Sequence, residues 1–308
     1  MLGLVMRSTG SWYDVKRDDN DSLIRCRLRG KFKIKGLKVT NPIAVGDWVE
    51  WEWADDQEGT GLITNILPRE NYLIRKSVHK TGHAHMLAAN LDQTLLIATL
   101  AMPRTSLGFI DRFLVSAETF RIPSRIIFNK SDLLNEDDRE LIAALRAIYE
   151  PLGYPCLLVS ALDGEGMGAV EALLKGRKSL ISGHSGVGKS SLVNRIAPDL
   201  DLRTSAVSTF ANKGVHTTTF AEMFEIAPQT FLIDTPGIKE LGLVDIAPEE
   251  LGHYFPEMRA RLGYCKYHNC QHTNEPGCAI KAAVEAQQIS FTRYESYLSM
   301  LSDQDNRR

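Results

Sequence analysis

The strongest constraint on this chain lies just past its middle. Gly183-His184-Ser185-Gly186-Val187-Gly188-Lys189-Ser190 matches the pattern G-x-x-x-x-G-K-[ST]. The apolar run 179–182 precedes it and the helix-period run SLVNRIA follows. A strand that passes through a glycine-rich turn into a helix can turn its backbone N–H groups inward around phosphate oxygens. The helix N-terminus adds the positive end of its dipole. Lys189 is expected to reach the β- and γ-phosphates and Ser190 to ligate magnesium, with Ser191 completing the cradle. A chance glycine-rich turn is the bland alternative, and the complete octet in its strand–helix setting argues against it.

The flanking sequence sets the fold class. From about residue 91, near-continuous apolar runs alternate with helical patterns. The runs are LLIATL (95–100), RIIF (125–128), CLLV (156–159), SLIS (179–182) and FLID (231–234). Helical periods fall at 112–120, 137–149 and 170–175. Strands of this kind, with helices between them, predict an α/β domain with a mostly parallel sheet covered on both faces. The 308 residues are long enough for about two domains and a small third module.

A P-loop does not by itself choose between adenine and guanine. Asn129-Lys130-Ser131-Asp132 follows the strand RIIF at its carboxyl end, where ligands bind in open α/β sheets. N-K-x-D is a guanine reader, because the Asp132 carboxylate can accept from both N1–H and the exocyclic amine. Adenine offers no such pair. Ser160-Ala161 follows the next strand and matches the S-A loop that backs the base. Asp234-Thr-Pro-Gly237 follows the strand at 231–233 as a D-x-P-G motif. There Asp234 is expected to hold magnesium through water, and the Gly237 N–H to meet the γ-phosphate; a plain turn is the alternative. Between the P-loop and Asp234 lies KGVHTTT (213–219). One of its threonines should supply a magnesium ligand, with Thr218 preferred and Thr217 the runner-up.

The motif order is unusual. In Ras-like GTPases the P-loop comes first and N-K-x-D later. Here N-K-x-D and S-A precede the P-loop, so the order is circularly permuted. Permutation succeeds where termini can move to exposed loops. The chain then runs from the D-x-P-G side straight into the C-terminal segment, where a nucleotide-dependent movement would pull.

Two further segments flank this core. The first ~85 residues read as short strands, and 24–35 (IRCRLRGKFKIK) alternates strictly. Arg25, Arg27, Arg29, Lys31, Lys33 and Lys35 share one face; Ile24, Cys26, Leu28, Gly30, Phe32 and Ile34 share the other. A second alternation, Val45, Val49, Trp51 and Trp53, predicts another strand. Together they suggest a five-stranded oligonucleotide-binding (OB) barrel. Overall charge gives no hint of nucleic acid, with 36 Lys plus Arg against 38 Asp plus Glu, but a local basic face remains open. Solvated edge lysines are the bland alternative for that face. Three of the five cysteines crowd into Cys265-x₄-Cys270-x-His272-x₅-Cys278. Three thiolates and an imidazole suit closed, tetrahedral, structural zinc, one per chain. His268 is a rival ligand, and reduced unliganded cysteines are the alternative. Cys26 and Cys156 are expected in the core. No apolar run nears the ~20 residues a membrane span needs, and no secretory leader is read at the start, which predicts a cytoplasmic chain.

The permuted order, with GHSGVGKSS, KGVHTTT, DTPGI and the Cys/His spacing after a basic barrel, resembles the ribosome small-subunit-dependent GTPase A family. The resemblance covers nearly the whole chain, including VGDWVEW and LDQTLLIATL. It implies an OB-fold RNA-binding domain (1–88), a permuted GTPase domain (89–245) and a helical zinc-binding domain (246–308). It also implies GTP hydrolysis to GDP, stimulated by the small ribosomal subunit and its rRNA late in subunit maturation. Other assembly factors are further expected partners, and the chain is expected to be a monomer. Ras-like enzymes place a water-orienting Gln just after D-x-x-G; here Ile238 stands there, so intrinsic turnover should be slow. His216 resembles the family's water-positioning histidine, packing or capping being its alternative. Gly186 stands where potassium-binding relatives carry Asn. A second class of function, an RNA-binding factor in which hydrolysis is incidental, fits the same motifs, and a third is a permuted GTPase of the large subunit.

Overall fold

A computed structural model describes residues 1–30, 41–55, 59–76, 84–198, 221–234 and 246–302. It begins with β1 (Leu2–Ser8), β2 (Tyr13–Arg17), β3 (Leu23–Leu28), β4 (Trp48–Asp55) and β5 (Thr60–Ile66). Their order is β1-β2-β3-β5-β4, and β4 pairs back onto β1, which closes a five-stranded barrel. Alternation in β3 works as the sequence implies: Ile24 and Cys26 are buried while Arg25 and Arg27 are exposed. Val5, Tyr13, Val15, Val49, Trp51 and Ile63 fill the interior.

Trp53 departs from its expected inward alternation. Pairing of β4 with β5 slips between Glu50 and Trp51 and again between Trp53 and Asp55. Such irregularities re-aim side chains. Trp53 is 40% exposed. It lies edge-on to Trp51 at 5.2 Å, with the Arg17 guanidinium 5.6 Å over its ring.

A two-stranded ribbon, β6 (Tyr72–Lys76) and β7 (Ala84–Ala89), leads out of the barrel. The α/β unit follows as β8 (Gln93–Ala98), α1 (Leu107–Thr119), β9 (Ser124–Phe128), α2 (Glu136–Tyr149), β10 (Cys156–Leu158), α3 (Met167–Leu174), β11 (Lys178–Ser182), α4 (Lys189–Ile196), β12 (Glu222–Ala227) and β13 (Thr230–Asp234). The sheet runs β10-β9-β8-β11-β13-β12. All pairs are parallel except β12 with β13. The run at 95–100 stops being strand at Ala98, earlier than its apolar character suggests.

Local chemistry explains the helices. Asn135 and Asp138 form a reciprocal capping box at α2, whose first turn carries Glu136, Asp137 and Asp138 against the positive end of its dipole. Ser106 accepts from the Phe109 N–H at the start of α1. Alternate residues of the central strands divide between two cores. Leu96, Ala98, Ile126 and Phe128 pack under α1 and α2, and Leu95, Ile97 and Ile127 under α3 and α4.

The barrel is not a separate bead. β1 pairs with β12 at Arg7 and Glu222, so one sheet runs from the barrel into the α/β unit. Lys16 of β2 lies 2.5 Å from Glu225 of β12. β12 was not legible in the sequence, since two glutamates interrupt its EMFEIA pattern and most of it is only partly buried.

The C-terminal segment holds α5 (Pro256–Arg259), α6 (Ala279–Glu285) and α7 (Phe291–Leu301). Leu251, Phe255, Met258, Ile280 and Tyr297 form its core and reach Val115 of α1. A buried ionic triad accompanies this contact. Arg293 of α7 donates from Nη1 to Asp111 of α1 at 2.8 Å, and from Nε and Nη2 to Glu257 of α5 at 2.7 and 3.2 Å.

Candidate functional site

Three motifs distant in sequence meet at the carboxyl ends of β9, β10 and β11. Gly188, with φ at +90°, caps α4 and lets the chain turn from β11 into the helix. A Cβ there would sit 2.3 Å from Asn129 Nδ2. Asn129 is buried; its Nδ2 donates to the Val187 carbonyl at 2.8 Å and its Oδ1 accepts from the Ala161 N–H at 3.1 Å. One side-chain amide therefore ties the P-loop to the S-A loop, and the backbone N–H of Asn129 donates to the Ala98 carbonyl at the end of β8. This is the work a short, two-sided hydrogen-bonding side chain can do and a carboxylate cannot.

Lys189 is buried. Its ammonium donates to the Gly183 carbonyl at 2.6 Å and to the His184 carbonyl. The cation is thus held inside the loop formed by Gly183, His184, Ser185, Gly186, Val187 and Gly188. The His184 ring packs against Phe109 of α1, centroids 3.7 Å apart and planes tilted by 31°. Burial first, and the Lys189 charge second, lower its pKa, so His184 stays neutral in this loop. Ser190 and Ser191 occupy the first turn of α4.

The base-reading side is equally tied down. Lys130 adopts a left-handed backbone, φ +67°, and its ammonium donates to the Met102 carbonyl. Ser131 is buried, and its hydroxyl donates to Glu165. Asp132 is exposed, and Oδ1 accepts from Ser160 Oγ at 2.6 Å. The Ser160 hydroxyl is itself oriented by the Asp163 N–H at 3.2 Å. The result is a solvent-facing carboxylate of fixed aim beside Lys130 and Ala161, suited to a planar donor pair. The Glu165 and Met102 contacts have no signature in the sequence: a loop carboxylate and a loop carbonyl carry no motif.

For magnesium, Ser190 stands one residue after Lys189, where in a P-loop a hydroxyl can share a cation with phosphate oxygens. Asp234 ends β13, and β13 pairs with β11, whose end opens into the P-loop. That register brings Asp234 to the expected edge of the sheet. The Asp234 carboxylate, Gly237, Ile238, His216, Thr217 and Thr218 lie outside the described residues, as do Lys31, Lys33 and Lys35.

In the C-terminal module, ligand atoms of Cys265, Cys270, His272 and Cys278 all lie within 4.8 Å of one another. His272 Nδ1 is 3.6 Å from Cys265 Sγ and 3.5 Å from Cys278 Sγ, and the two sulfurs are 4.0 Å apart. A tetrahedral zinc with ordinary bond lengths sets ~3.6 Å between S and N ligands and ~3.8 Å between sulfurs, so this donor set fits zinc. His272 takes a left-handed φ of +59° to present Nδ1, and burial lowers its pKa, which suits the neutral imidazole a metal requires. The rival His268 is exposed and outside the cluster. Glu275 fastens the loop by accepting from the Gln271 and Thr273 N–H groups at 2.8 Å each. Cys26 and Cys156 are buried as expected, and burial pushes both thiols up to about 12.

On the barrel, Arg25 and Arg27 lie over the Trp12 ring at 4.6 and 3.9 Å, and Arg29 pairs with Glu52 at 2.5 Å. Asp14 stands opposite Arg25 on β2. The described part of the cationic face therefore has an aromatic support and carboxylates that its own segment does not contain. Among the described residues, no helix is long and apolar enough to cross a membrane.

Comparison with known proteins agrees with this geometry. Residues 66–244 match the family model described as RsgA GTPase, and residues 2–61 match that described as RsgA N-terminal domain. The chain is 53% identical over 308 residues to the Small ribosomal subunit biogenesis GTPase RsgA of Cytophaga hutchinsonii, covering 100% of both. It is 51% identical over 305 residues to the protein of that name from Bacteroides fragilis, covering 99% of this chain and 97% of that one. The crystal structure of YjeQ from Thermotoga maritima superposes with a TM-score of 0.78 at 38% identity, covering 100% of this chain and 99% of the other. The structure of YloQ, described as a circularly permuted GTPase, superposes with a TM-score of 0.75 at 29% identity, covering 100% of this chain and 96% of the other.

Proposed function

The chain belongs to the RsgA GTPase family and is a GTP-hydrolysing enzyme, and from that premise we propose that it acts in maturation of the small ribosomal subunit, which stimulates its turnover. The names of its relatives support the subunit assignment. One observation carries the nucleotide reading: the Asn129 amide joins Val187 of the P-loop to Ala161 of the base loop. That tie supports reading the three separated motifs as one site running from phosphate to base.

In this reading the P-loop N–H groups and Lys189 hold the phosphates, and Asp132 accepts from the guanine edge. Ser190, Thr218 and Asp234 hold magnesium, which neutralises charge on the β- and γ-phosphates. His216 positions the attacking water, because Ile238 can neither donate nor accept a proton. Cys265, Cys270, His272 and Cys278 hold one structural zinc. Arg25 and Arg27, braced on Trp12, meet rRNA phosphates. The proposed domains are 1–88, 89–245 and 246–308, in a cytoplasmic monomer that also meets other assembly factors.

GTP turnover titrated with purified small and large ribosomal subunits tests this reading. Stimulation by the small subunit alone is the expected result. Turnover indifferent to both subunits would sink it in favour of an RNA-binding factor with incidental hydrolysis. Stimulation by the large subunit alone would reassign the partner.

A further inference from the structure

We infer that Arg195 is a positioning residue for guanine recognition, holding the base loop at the angle that aims Asp132. The inference rests on the guanine reading of Asp132 and adds a residue that no motif contains.

Arg195 lies in the last turn of α4, the helix that begins at the P-loop. Its guanidinium reaches back across the base loop. Nη1 donates to the Leu162 carbonyl at 2.9 Å and to the Ala161 carbonyl at 3.3 Å, and Nη2 donates to the Asp163 carbonyl at 3.2 Å. Three consecutive carbonyls of one loop are gathered by one planar, five-donor group, a geometry that an ammonium cannot copy. The loop is shaped to admit it. Gly164 has φ at +99°, and a Cβ there would lie 2.3 Å from Arg195 Nη2.

The clasped loop also carries the device that orients Asp132. Ser160 Oγ donates to Asp132 Oδ1 at 2.6 Å, and the Asp163 N–H donates to Ser160 Oγ at 3.2 Å. Asp163 therefore connects Arg195, through its carbonyl, to Ser160, through its N–H. At the other end the same loop is held by Asn129, which bonds the Ala161 N–H and the Val187 carbonyl. Asn129 thus holds the loop at the Ala161 N–H, whereas Arg195 holds it at the carbonyls of Ala161, Leu162 and Asp163. A loop tied at one point can pivot about it. A second tie spread over three consecutive carbonyls fixes its angle, and with it the direction of the Asp132 carboxylate.

Guanine offers Asp132 two donors, N1–H and the exocyclic amine, whereas hypoxanthine offers only N1–H. A carboxylate held at the right angle gains from the second donor, and one that swings gains less. The full chain, as wild type, Arg195→Ala and Arg195→Lys, is titrated with GDP, IDP and ADP in magnesium, and the thermal midpoint of each nucleotide-free protein is recorded. Arg195→Ala is expected to weaken GDP by about three- to tenfold, the loss of charge-assisted hydrogen bonds at an exposed site. IDP should weaken less, so that the GDP:IDP affinity ratio narrows, with Arg195→Lys recovering part of it. An unchanged ratio, with both nucleotides weakened equally or not at all, would overturn the inference and leave Arg195 a structural clamp. A wild type that binds ADP as tightly as GDP would instead overturn the guanine reading, and this inference with it.

Discussion

Replacing Arg293 with Met should cut the C-terminal module loose from α1 while leaving the nucleotide pocket intact. Arg293 and Asp111 are 0% exposed and Glu257 is 6% exposed, so the substitution strands two carboxylates away from water. Three charge-assisted hydrogen bonds disappear, at 2.7, 2.8 and 3.2 Å. Removing one member of a buried ion pair costs about 3–5 kcal/mol, because the remaining charge loses its counter-charge without regaining water. Asp111 keeps the Tyr149 hydroxyl at 2.8 Å and the Ser296 side chain as hydrogen-bond partners, which moderates the loss without abolishing it. Urea midpoints would blur the effect, since a chain with several cores need not unfold in one step. Hydrogen exchange resolves it locally. The opening free energy of α7 should fall by about 3–5 kcal/mol, roughly two to three and a half decades in exchange rate. The effect should also depend on pH. Burial already raises the Asp111 pKa with Arg293 present. Without the guanidinium, a raised folded-state pKa means the folded variant takes up protons more readily than the unfolded chain. The penalty is therefore full at alkaline pH and shrinks as pH falls through that raised pKa. The triple variant Asp111→Asn, Glu257→Gln, Arg293→Met should recover most of the loss. Exchange in α7 of the single variant within about fivefold of wild type at pH 8 would refute this account of the triad.

Asp132→Asn should weaken GTP binding by a few kcal/mol, since an amide cannot accept both guanine donors; competition binding against ATP checks this, and equal ATP and GTP affinity in the wild type would contradict it. Elemental analysis should find about one zinc per chain, and Cys270→Ser should lower it. Stripping the metal should expose the amides of α6 and α7 to exchange and spare nucleotide binding, because the P-loop sheet has its own core. Arg25→Ala with Arg27→Ala should reduce the salt dependence of small-subunit binding by about 0.7–0.9 log units per lost phosphate contact. An unchanged slope would return this face to solvent.

The nucleotide and metal motifs were legible in the amino-acid sequence because they are written in short, local patterns. A P-loop needs its glycines, lysine and serine in consecutive positions, and Cys265 to Cys278 carry a whole ligand set within one loop. The parallel sheet was legible for a related reason: strands buried on both faces read as continuous apolar runs. The tertiary structure alone decided how these pieces are joined. The pairing of Arg7 with Glu222, the triad of Asp111, Glu257 and Arg293, and the Arg195 grip on loop carbonyls each link residues remote in the chain or use backbone acceptors. Backbone carbonyls have no residue identity to read. A buried arginine looks like any surface arginine until its carboxylates arrive from other helices. β12 stayed hidden because two glutamates interrupt its apolar run, and its strand character comes from the neighbours on either side, β13 and β1. Trp53 matched the inward alternation of its strand, but slips in pairing placed it at the barrel's edge under Arg17. Periodicity records which face a residue prefers, and register, which only the assembled sheet sets, decides which face it gets.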